Sequence, residues 1–452
     1  MKLENTLMKY WTRFFLLFAA YSFCLAAEPI DFENQLSQKD IDALINWVKT
    51  KRLVSIKEKG GDLSISGEVR TELQSINETK RGVKQRGSGG AFDDFPSRAW
   101  DIEFNLLFNY RTERTWATAK LKFDNDAGVI SGTVNRIALD RAFFGGRVID
   151  ADAFNLDIEF GRRRLGYTFD SKIEFCTFFD GILFKFEEAW EGIGDTYLYG
   201  GPFLVDEKID HYAYVAELGL LDIYNTGLYT KYSIIDWDTK HTANEVRNER
   251  FRFINSQLTL GYKFRNAFFG NRVVTLYAAG LINSAARKLK DTTLFPSLLK
   301  ISKSSSKTVK DLYLEECKDI CHVKNLPIWN KRENLAWYAG FSIGELRKQW
   351  DWSFDINYQW VQAQAVADFD SSGIGRGNVA RVGLFRDSSG NLITINESVG
   401  PGNYKGFVAE FNILLTNNIT VFQSWQRAIT LNSEIGPAMR FKQYEVELIY
   451  AF

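Results

Sequence analysis

Apolar and polar residues alternate with a period of two along most of this chain. The clearest run begins at Trp100 and ends at Tyr110, where Ile102 and Phe104 are separated by charged and amide residues. Side chains of a strand point to opposite faces in turn, so this run has one apolar face and one polar face. Its length of about eleven residues is what a tilted strand needs to cross a bilayer. The polar face would be an error in the core of a soluble sandwich but is normal beside a water-filled lumen.

Runs of this kind recur from Asp62 to the end of the chain and predict an all-β fold. We count about sixteen of them, an even number, as single-chain bacterial barrels require. The pattern therefore predicts a transmembrane, antiparallel, up-and-down β-barrel over residues 62–452. The runs are 62–73, 100–111, 117–123, 137–147, 154–160, 182–186, 196–200, 211–220, 228–234, 254–264, 273–283, 335–343, 352–360, 407–415, 419–427 and 444–452.

The connections between these runs alternate between short and long. A barrel with short turns at one end and long loops at the other shows this rhythm, whereas a soluble sandwich has no reason to show it. The short connections are 112–114, 150–153, 221–226, 265–271, 345–349 and 416–418, and the long ones are 75–98, 124–135, 162–178, 236–250, 284–333 and 364–404.

The last nine residues form an aromatic-rich strand. An edge strand this apolar invites aggregation unless a partner strand covers its edge, so the pattern favours a strand that closes a barrel over the last strand of a soluble sandwich. The stretch resembles the C-terminal signature of Gram-negative outer-membrane β-barrels, and the resemblance to porins covers residues 62–452 by pattern. The residues that carry the signature are Tyr444, Val446, Leu448, Tyr450 and Phe452.

This resemblance implies several expectations beyond the fold. The protein would lie in the outer membrane, in contact with its lipid, with Phe452 on the periplasmic side. The barrel-assembly machinery would read the terminal segment. The lumen would pass small hydrophilic solutes and ions by passive diffusion, and a homotrimer would be the expected assembly.

The N-terminus is typical of a secretory signal peptide over residues 1–27. Lys2 and Arg13 supply positive charge, an apolar stretch follows, and Ala26-Ala27 offers a small-residue cleavage site. A lipoprotein reading through Cys24 is weaker because bulky Phe23 precedes it. Residues 28–61 then predict a short periplasmic helical extension, whose apolar spacing is that of one helix face. This helix would pack under the barrel, self-associate or remain an ordinary surface helix. Its apolar positions are Ile41, Leu44, Ile45 and Val48.

Charge and cysteine content narrow the function classes. The chain has 56 basic and 56 acidic residues, which argues against nucleic acid as a partner. A mean hydropathy of −0.23 suits a barrel, in which only every second strand residue meets lipid.

Cys317 and Cys321 are expected to form a local disulfide after export, and with His322 they make a weaker case for metal ligation because a fourth ligand is missing. No cofactor or metal is predicted. The run from Asp368 to Gly373 opens like a calcium loop, but the acidic residue that such a loop needs near its end is absent.

The third long loop is where we expect a pore constriction. In porins this loop folds into the barrel, and the resemblance implies basic residues that face acidic ones there and set ion selectivity. If the preceding strand continues, its alternation places Arg163 on the lumen face, which makes Arg163 the first candidate. Arg162 and Arg164 would then point to the wall. The alternatives are a solvated loop, or strand residues that pair with their neighbours. The candidate residues are Arg162, Arg163, Arg164, Asp170, Glu174 and Asp180.

The sequence therefore predicts a passive outer-membrane porin. A surface structural or adhesin-type barrel, with residues 284–333 and 364–404 as recognition loops, is the alternative. An enzyme is not predicted, because none of the three histidines is spaced to pair with a nucleophile or acid at the barrel rim.

Overall fold

Strands that pair with their neighbours in sequence make up most of the computed structural model of this chain. The predicted signal peptide, Cys317 and Cys321 lie outside the described residues, as does most of the predicted extension over 28–61. The described end of that extension, Val54–Glu58, is a strand and not a helix. Within the described part, no helix is long and apolar enough to cross a membrane. The structure describes residues 54–58, 61–80, 82–90, 96–126, 135–151, 153–190, 192–207, 211–237, 253–268, 272–286, 332–367, 370–374, 402–432 and 438–452.

Eighteen strands occur in this part of the chain, and sixteen of them form the barrel. The two short strands β1 and β3 pair with β2 and are not part of the ring. In chain order the strands are β1 (Val54–Glu58), β2 (Gly61–Lys80), β3 (Val83–Lys84), β4 (Arg98–Arg111), β5 (Thr115–Asp126), β6 (Asn135–Asp150), β7 (Phe154–Arg164), β8 (Phe178–Trp190), β9 (Gly194–Asp206), β10 (His211–Ile223), β11 (Leu228–Asp236), β12 (Ile254–Phe268), β13 (Arg272–Asn283), β14 (Leu335–Ile343), β15 (Trp352–Val361), β16 (Tyr404–Leu414), β17 (Ile419–Thr430) and β18 (Met439–Ala451).

The barrel closes where its last strand meets its first. Each strand from β4 onward pairs antiparallel with the next, β2 pairs with β4, and β18 returns to β2. Arg70 and Glu447, which are 377 positions apart, come into contact across this seam. The prediction of a closed antiparallel barrel of about sixteen strands is therefore confirmed.

The two faces of the strands differ as the alternation predicts. On β4, Trp100 and Ile102 are exposed on the outer surface, whereas Asn105 is buried inside and donates hydrogen bonds to Glu68 and Glu103. On β18, the large apolar side chains that are exposed are Tyr444, Leu448 and Tyr450, and Glu447 faces inward. The register of both strands is therefore the predicted one.

Phe452 is fixed to the barrel by its own backbone. Its N–H donates to the Gly67 carbonyl at 2.9 Å, and its carbonyl accepts from the Gly67 N–H at 3.0 Å. A Cβ at Gly67 would come within 2.5 Å of the Phe452 ring, so glycine is required for this ring to lie against β2. The ring also stacks with Phe104, at 6.1 Å between centroids.

The short connections lie at one end of the barrel, the end that holds Phe452. They join β4–β5, β6–β7, β8–β9, β10–β11, β12–β13, β14–β15 and β16–β17. The long connections lie at the other end, with one exception to the predicted rhythm. β9 ends at Asp206 and β10 begins at His211, so this link is as short as the turns.

Candidate pore constriction

The loop between β7 and β8 lies inside the barrel. We call residues 165–177 the inner loop. Its first turn is a short 3-10 helix, Leu165–Tyr167, and the loop then folds back so that the Gly166 N–H donates to the Phe175 carbonyl at 2.8 Å. Leu165 is fully buried, which anchors the start of the loop.

The tip of the inner loop reaches the opposite side of the lumen. Gln257 on β12 donates to the Asp170 carbonyl at 2.8 Å and accepts from the Ser171 hydroxyl at 2.8 Å. Gln359 on β15 donates to the Lys172 carbonyl at 3.2 Å. In a closed barrel β15 is seven strands away from β8, so a loop that contacts both must cross the interior.

A second segment holds the inner loop in place. We call residues 370–374, which follow β15, the latch. The buried carboxylate of Asp370 accepts backbone N–H bonds from Phe175 at 3.1 Å and Thr177 at 3.0 Å. The Ser372 hydroxyl donates to the Glu174 carbonyl at 2.9 Å. The backbone groups of the inner loop are thus satisfied by the latch, as buried polar groups must be.

An apolar cluster lies behind these hydrogen bonds. Ile173 of the inner loop and Ile374 of the latch pack into it, together with inward side chains of the barrel wall. This part of the lumen is therefore filled rather than open. The wall residues of the cluster are Ile76, Ala279, Leu281, Ala336, Tyr338, Val361, Tyr404, Val408, Ala428 and Phe441.

Two lysine–aspartate pairs mark the edge of the inner loop that meets the barrel wall. Asp170 of the loop pairs with Lys231 of β11 at 2.8 Å, and its side chain remains 49% exposed. Lys172 of the loop pairs with Asp355 of β15 at 3.2 Å. Asp355 also accepts from the Tyr277 hydroxyl at 2.8 Å. Loop and wall thus face each other with charges of opposite sign.

The six residues predicted for the constriction fall into three separate places. Arg162 and Asp180 pair with each other in a two-pronged ion pair, both bonds being 2.7 Å. Arg162 shares a strand face with exposed Phe160, and Asp180 shares one with exposed Phe184, so this pair lies on the outer face of the barrel. Its two members therefore do not face each other across the lumen, contrary to the expectation from sequence.

The other two arginines belong to the barrel wall. Arg163 faces the lumen side, as strand parity predicts, but is almost fully buried and bonded to Glu159 at 2.5 Å. Lys185 contacts the same carboxylate at 2.9 Å. Arg164, where the inner loop begins, lies 3.4 Å from Asp140. The acids that these arginines contact are thus Glu159 and Asp140, and not Asp170 or Glu174 of the inner loop.

The remaining two predicted residues, Asp170 and Glu174, do lie on the inner loop. Asp170 is at the edge described above, while Glu174 is buried under the latch and accepts from the Asn255 amide at 3.0 Å. Burial raises the pKa of Glu174 from its ordinary 4.5 to about 8, with a further contribution from the nearby Asp370 carboxylate. Burial also raises the pKa of Asp370 from 3.8 to about 7, against the lowering effect of its backbone hydrogen bonds.

Sequence reasoning did not include Lys231 or Asp355 in the constriction. Both occupy polar positions of predicted strands, so alternation places them in the lumen but does not give their height along it. The latch aspartate, Asp370, was noted only as part of an incomplete calcium loop. Its bond to Phe175 joins residues 195 positions apart in sequence, and no local sequence pattern predicts such a contact.

Comparisons with known proteins give a likeness in structure alone. No family model matches the chain, and no curated protein matches it. A mutant of the Rhodopseudomonas blastica porin is similar with a TM-score of 0.41 at 10% identity, covering 86% of this chain and 100% of that one. OmpF of Salmonella typhi, in complex with daunomycin, has a TM-score of 0.45 at 11% identity, covering 88% and 100%. The outer membrane channel DcaP of Acinetobacter baumannii has a TM-score of 0.44 at 9% identity, covering 88% and 99%. These values are too low to carry an argument about function, which has to come from the geometry of this chain.

Proposed function

We propose that this protein is an outer-membrane porin, a channel for the passive diffusion of small hydrophilic solutes and ions. The observation that carries the proposal is the inner loop, which crosses the lumen and meets the wall with opposite charges. A barrel whose only role is to hold surface loops has no need of a charged loop inside. The exposed apolar outer face supports a location in lipid, because water would not favour so many exposed Leu, Phe and Tyr side chains.

The narrowest part of this channel would be bounded by Asp170 and Lys172 on the inner loop and by Lys231 and Asp355 on the wall. Fixed charges at such a position act on passing ions and set selectivity. Asp170 is the most exposed of the four, at 49%. We retain Arg163 in the proposal as a positive charge of the wall. Its effect on ion selectivity is reduced because it pairs with Glu159.

Several further proposals rest on the resemblance and not on this geometry. The chain would be exported through a cleaved signal peptide over residues 1–27, with a periplasmic extension over 28–61 that is helical in the part before strand β1. The barrel-assembly machinery would recognise Tyr444, Val446, Leu448, Tyr450 and Phe452, and the protein would assemble as a homotrimer. It would carry no catalytic site, and Cys317 would pair with Cys321.

A surface structural barrel is the second candidate, and one observation favours it. The apolar cluster around Ile173 and Ile374 fills part of the interior, as in a plugged barrel. Conductance separates the two functions, because a plugged barrel passes no steady current.

The test is the conductance of the purified protein in a planar bilayer. We expect steady channels, and we expect Asp170→Asn to shift the reversal potential in a salt gradient toward anions, since a negative charge is lost. The shift should shrink near 1 M salt, where the Debye length is about 3 Å. Asp180→Asn is the matched control, because it removes an aspartate from the outer face. A wild-type protein without conductance would support the structural barrel, and a shift that is equal in both variants would remove Asp170 from the constriction.

A further inference from the structure

Three glutamates lie together on the inner wall at the seam of the barrel. They are Glu72 on β2 and Glu445 and Glu447 on β18, and one carboxylate oxygen from each lies within 4.8 Å of the others. They face the lumen, because they alternate with the exposed outer residues Leu73, Tyr444 and Leu448. Three carboxylates at this separation repel one another unless protons or cations are present.

One shared guanidinium and two amides lie beside these glutamates. Arg70 lies 3.5 Å from Glu447 but is closer to Glu68, at 2.8 Å, so one guanidinium is shared between two acids. Gln443 donates its amide to Glu445 at 2.7 Å, and Gln74 donates to Glu72. Both amides also carry an oxygen that a rotation of the side chain would present to a cation.

A second and independent observation comes from the neighbouring strand. Ser424 on β17 is directly opposite Glu445 in the strand register and shares its lumen-facing row. This residue is 2% exposed, and its hydroxyl has no hydrogen-bond partner within the described part of the chain. A buried hydroxyl without a partner is costly, so the Ser424 oxygen is free to serve as a ligand beside the glutamates.

We propose that Glu72, Glu445, Glu447 and Ser424 form a divalent-cation site that takes calcium. All the donors are oxygens, the ligands that hard cations prefer. Calcium suits the site better than magnesium, because Ca²⁺ accepts six to eight oxygens in flexible geometry, whereas Mg²⁺ demands a near-ideal octahedron and keeps several waters. The ligands come from β17, β18 and β2, so the ion would bind across the seam that closes the barrel.

The site does not depend on whether the barrel conducts, and its test is direct binding. The full-length protein, folded in detergent, is titrated with CaCl₂ at pH 8 by calorimetry, and its thermal midpoint is followed in parallel. We expect saturable binding and a midpoint that rises with calcium, since a ligand of the folded state stabilises it by mass action. MgCl₂ should bind more weakly.

Variants then locate the ion. Glu445→Gln should weaken calcium binding on the order of tenfold, since ligand charge sets affinity in such sites. Ser424→Ala, which removes only the hydroxyl, should weaken it about threefold. Glu187→Gln is the matched control, because Glu187 is a lumen-side carboxylate of β8 bonded to Tyr199, away from the seam. Heat-modifiable migration in gels confirms that each variant is folded.

Two results would overturn the proposal. One is a wild-type protein that takes up no calcium at millimolar concentration, which would mean that the three carboxyls share protons instead. The other is calcium binding that Glu445→Gln and Ser424→Ala leave as strong as in the control, which would place the ion elsewhere on the chain.

Discussion

The two sides of the lumen use different polar chemistry. On the side formed by β4 to β8, inward side chains form ion pairs, among them Lys122 with Glu103 at 2.5 Å and Arg147 with Asp157 at 2.9 Å. On the side formed by β12 to β15, the inner loop docks on neutral amides, chiefly Asn255, Gln257 and Gln359. We call these the charged side and the docking side.

The difference follows from where water remains. Charges can stay in the wall of the charged side because most of its lysine, arginine and acid side chains keep contact with solvent, the buried exceptions being Glu159, Arg163 and Asp140. On the docking side a loop excludes water, and an unpaired charge buried there would cost several kcal/mol. An amide can donate and accept at once without that cost. The comparison shows that the wall is mostly neutral where the inner loop covers it, with Asp355, which pairs with Lys172, as the charged exception. It is charged where it stays open to solvent.

The docking side should be the more sensitive to loss of a single polar group. Replacing Asp370 by Ala leaves the buried N–H groups of Phe175 and Thr177 without acceptors. We expect a loss of about 2–4 kcal/mol in the free energy of unfolding, since each unsatisfied buried donor costs about 1–3 kcal/mol. Thermal unfolding in detergent measures it, and new protease cleavage within the inner loop would show that the latch has opened. Asp370→Asn, which keeps one acceptor, should lose less, and an equal loss in both variants would show that the carboxylate bonds are not the cause.

The outer faces of the two sides should not differ, because both are apolar and, at the proposed membrane location, both would face lipid. Phe104→Arg on β4 and Leu260→Arg on β12 each place a charge near the middle of a strand, and each should cost about 2–4 kcal/mol. Unfolding titrations in lipid vesicles give both values. Strongly unequal costs would mean that the contrast between the two sides extends through the wall.

The docking of the inner loop should weaken as pH rises. The pKa of Glu174 is raised to about 8 in the docked loop, and a loop released into water returns to about 4.5. The docked state therefore binds a proton that the released state gives up, so docking is strongest below about pH 4.5 and weakens until about pH 8. Asp370, with its pKa raised to about 7, acts in the same direction.

This dependence is measured as the difference in thermal midpoint between wild type and Glu174→Gln across pH 4 to 9. The glutamine cannot ionise, so the wild type should lose stability relative to it as pH rises. A difference that is constant over this range would show that Glu174 holds no proton in the docked loop.

The smallest effect is expected on the charged side. Asp157→Ala breaks the bond to Arg147, whose side chain remains 29% exposed and also reaches Asp150. Water can replace such a partner, so the cost should be about 1 kcal/mol or less. The same unfolding titration measures it. A loss as large as that of Asp370→Ala would abolish the distinction between the two sides.

The strand pattern was predictable because each strand has an apolar outer face and a polar inner face. The run predicted at 100–111 became β4 at Arg98–Arg111, with Phe104 outward and Asn105 inward as expected. The prediction was less accurate at the loop ends. β2 continues to Lys80, well beyond the predicted end near Leu73, because its hydrogen bonds to β18 persist where alternation between apolar and polar residues fades.

The candidate site was predictable only in part. Alternation located Arg163 on the lumen side, and the third long loop does lie inside the barrel. It could not show that Arg162 and Asp180 are cross-strand neighbours, because that depends on the register between β7 and β8. Nor could it connect Asp370 to the inner loop, since contacts between two loops leave no periodic trace in sequence.

The seam between β18 and β2 also affects the order in which the strands pair during folding. Fifteen of the sixteen neighbour contacts in the ring join successive barrel strands and can form as hairpins, but the last joins residues such as Arg70 and Glu447, 377 positions apart. The entropic cost of closing so long a loop grows only slowly with length, yet contacts between remote residues form late. Until then β18 and the part of β2 from Glu68 to Lys80 each present an unpaired edge, which is a template for another chain. Before closure the barrel is thus an open sheet with two edge strands that can pair with other chains. Whether these edges are covered decides between a closed barrel and an aggregate.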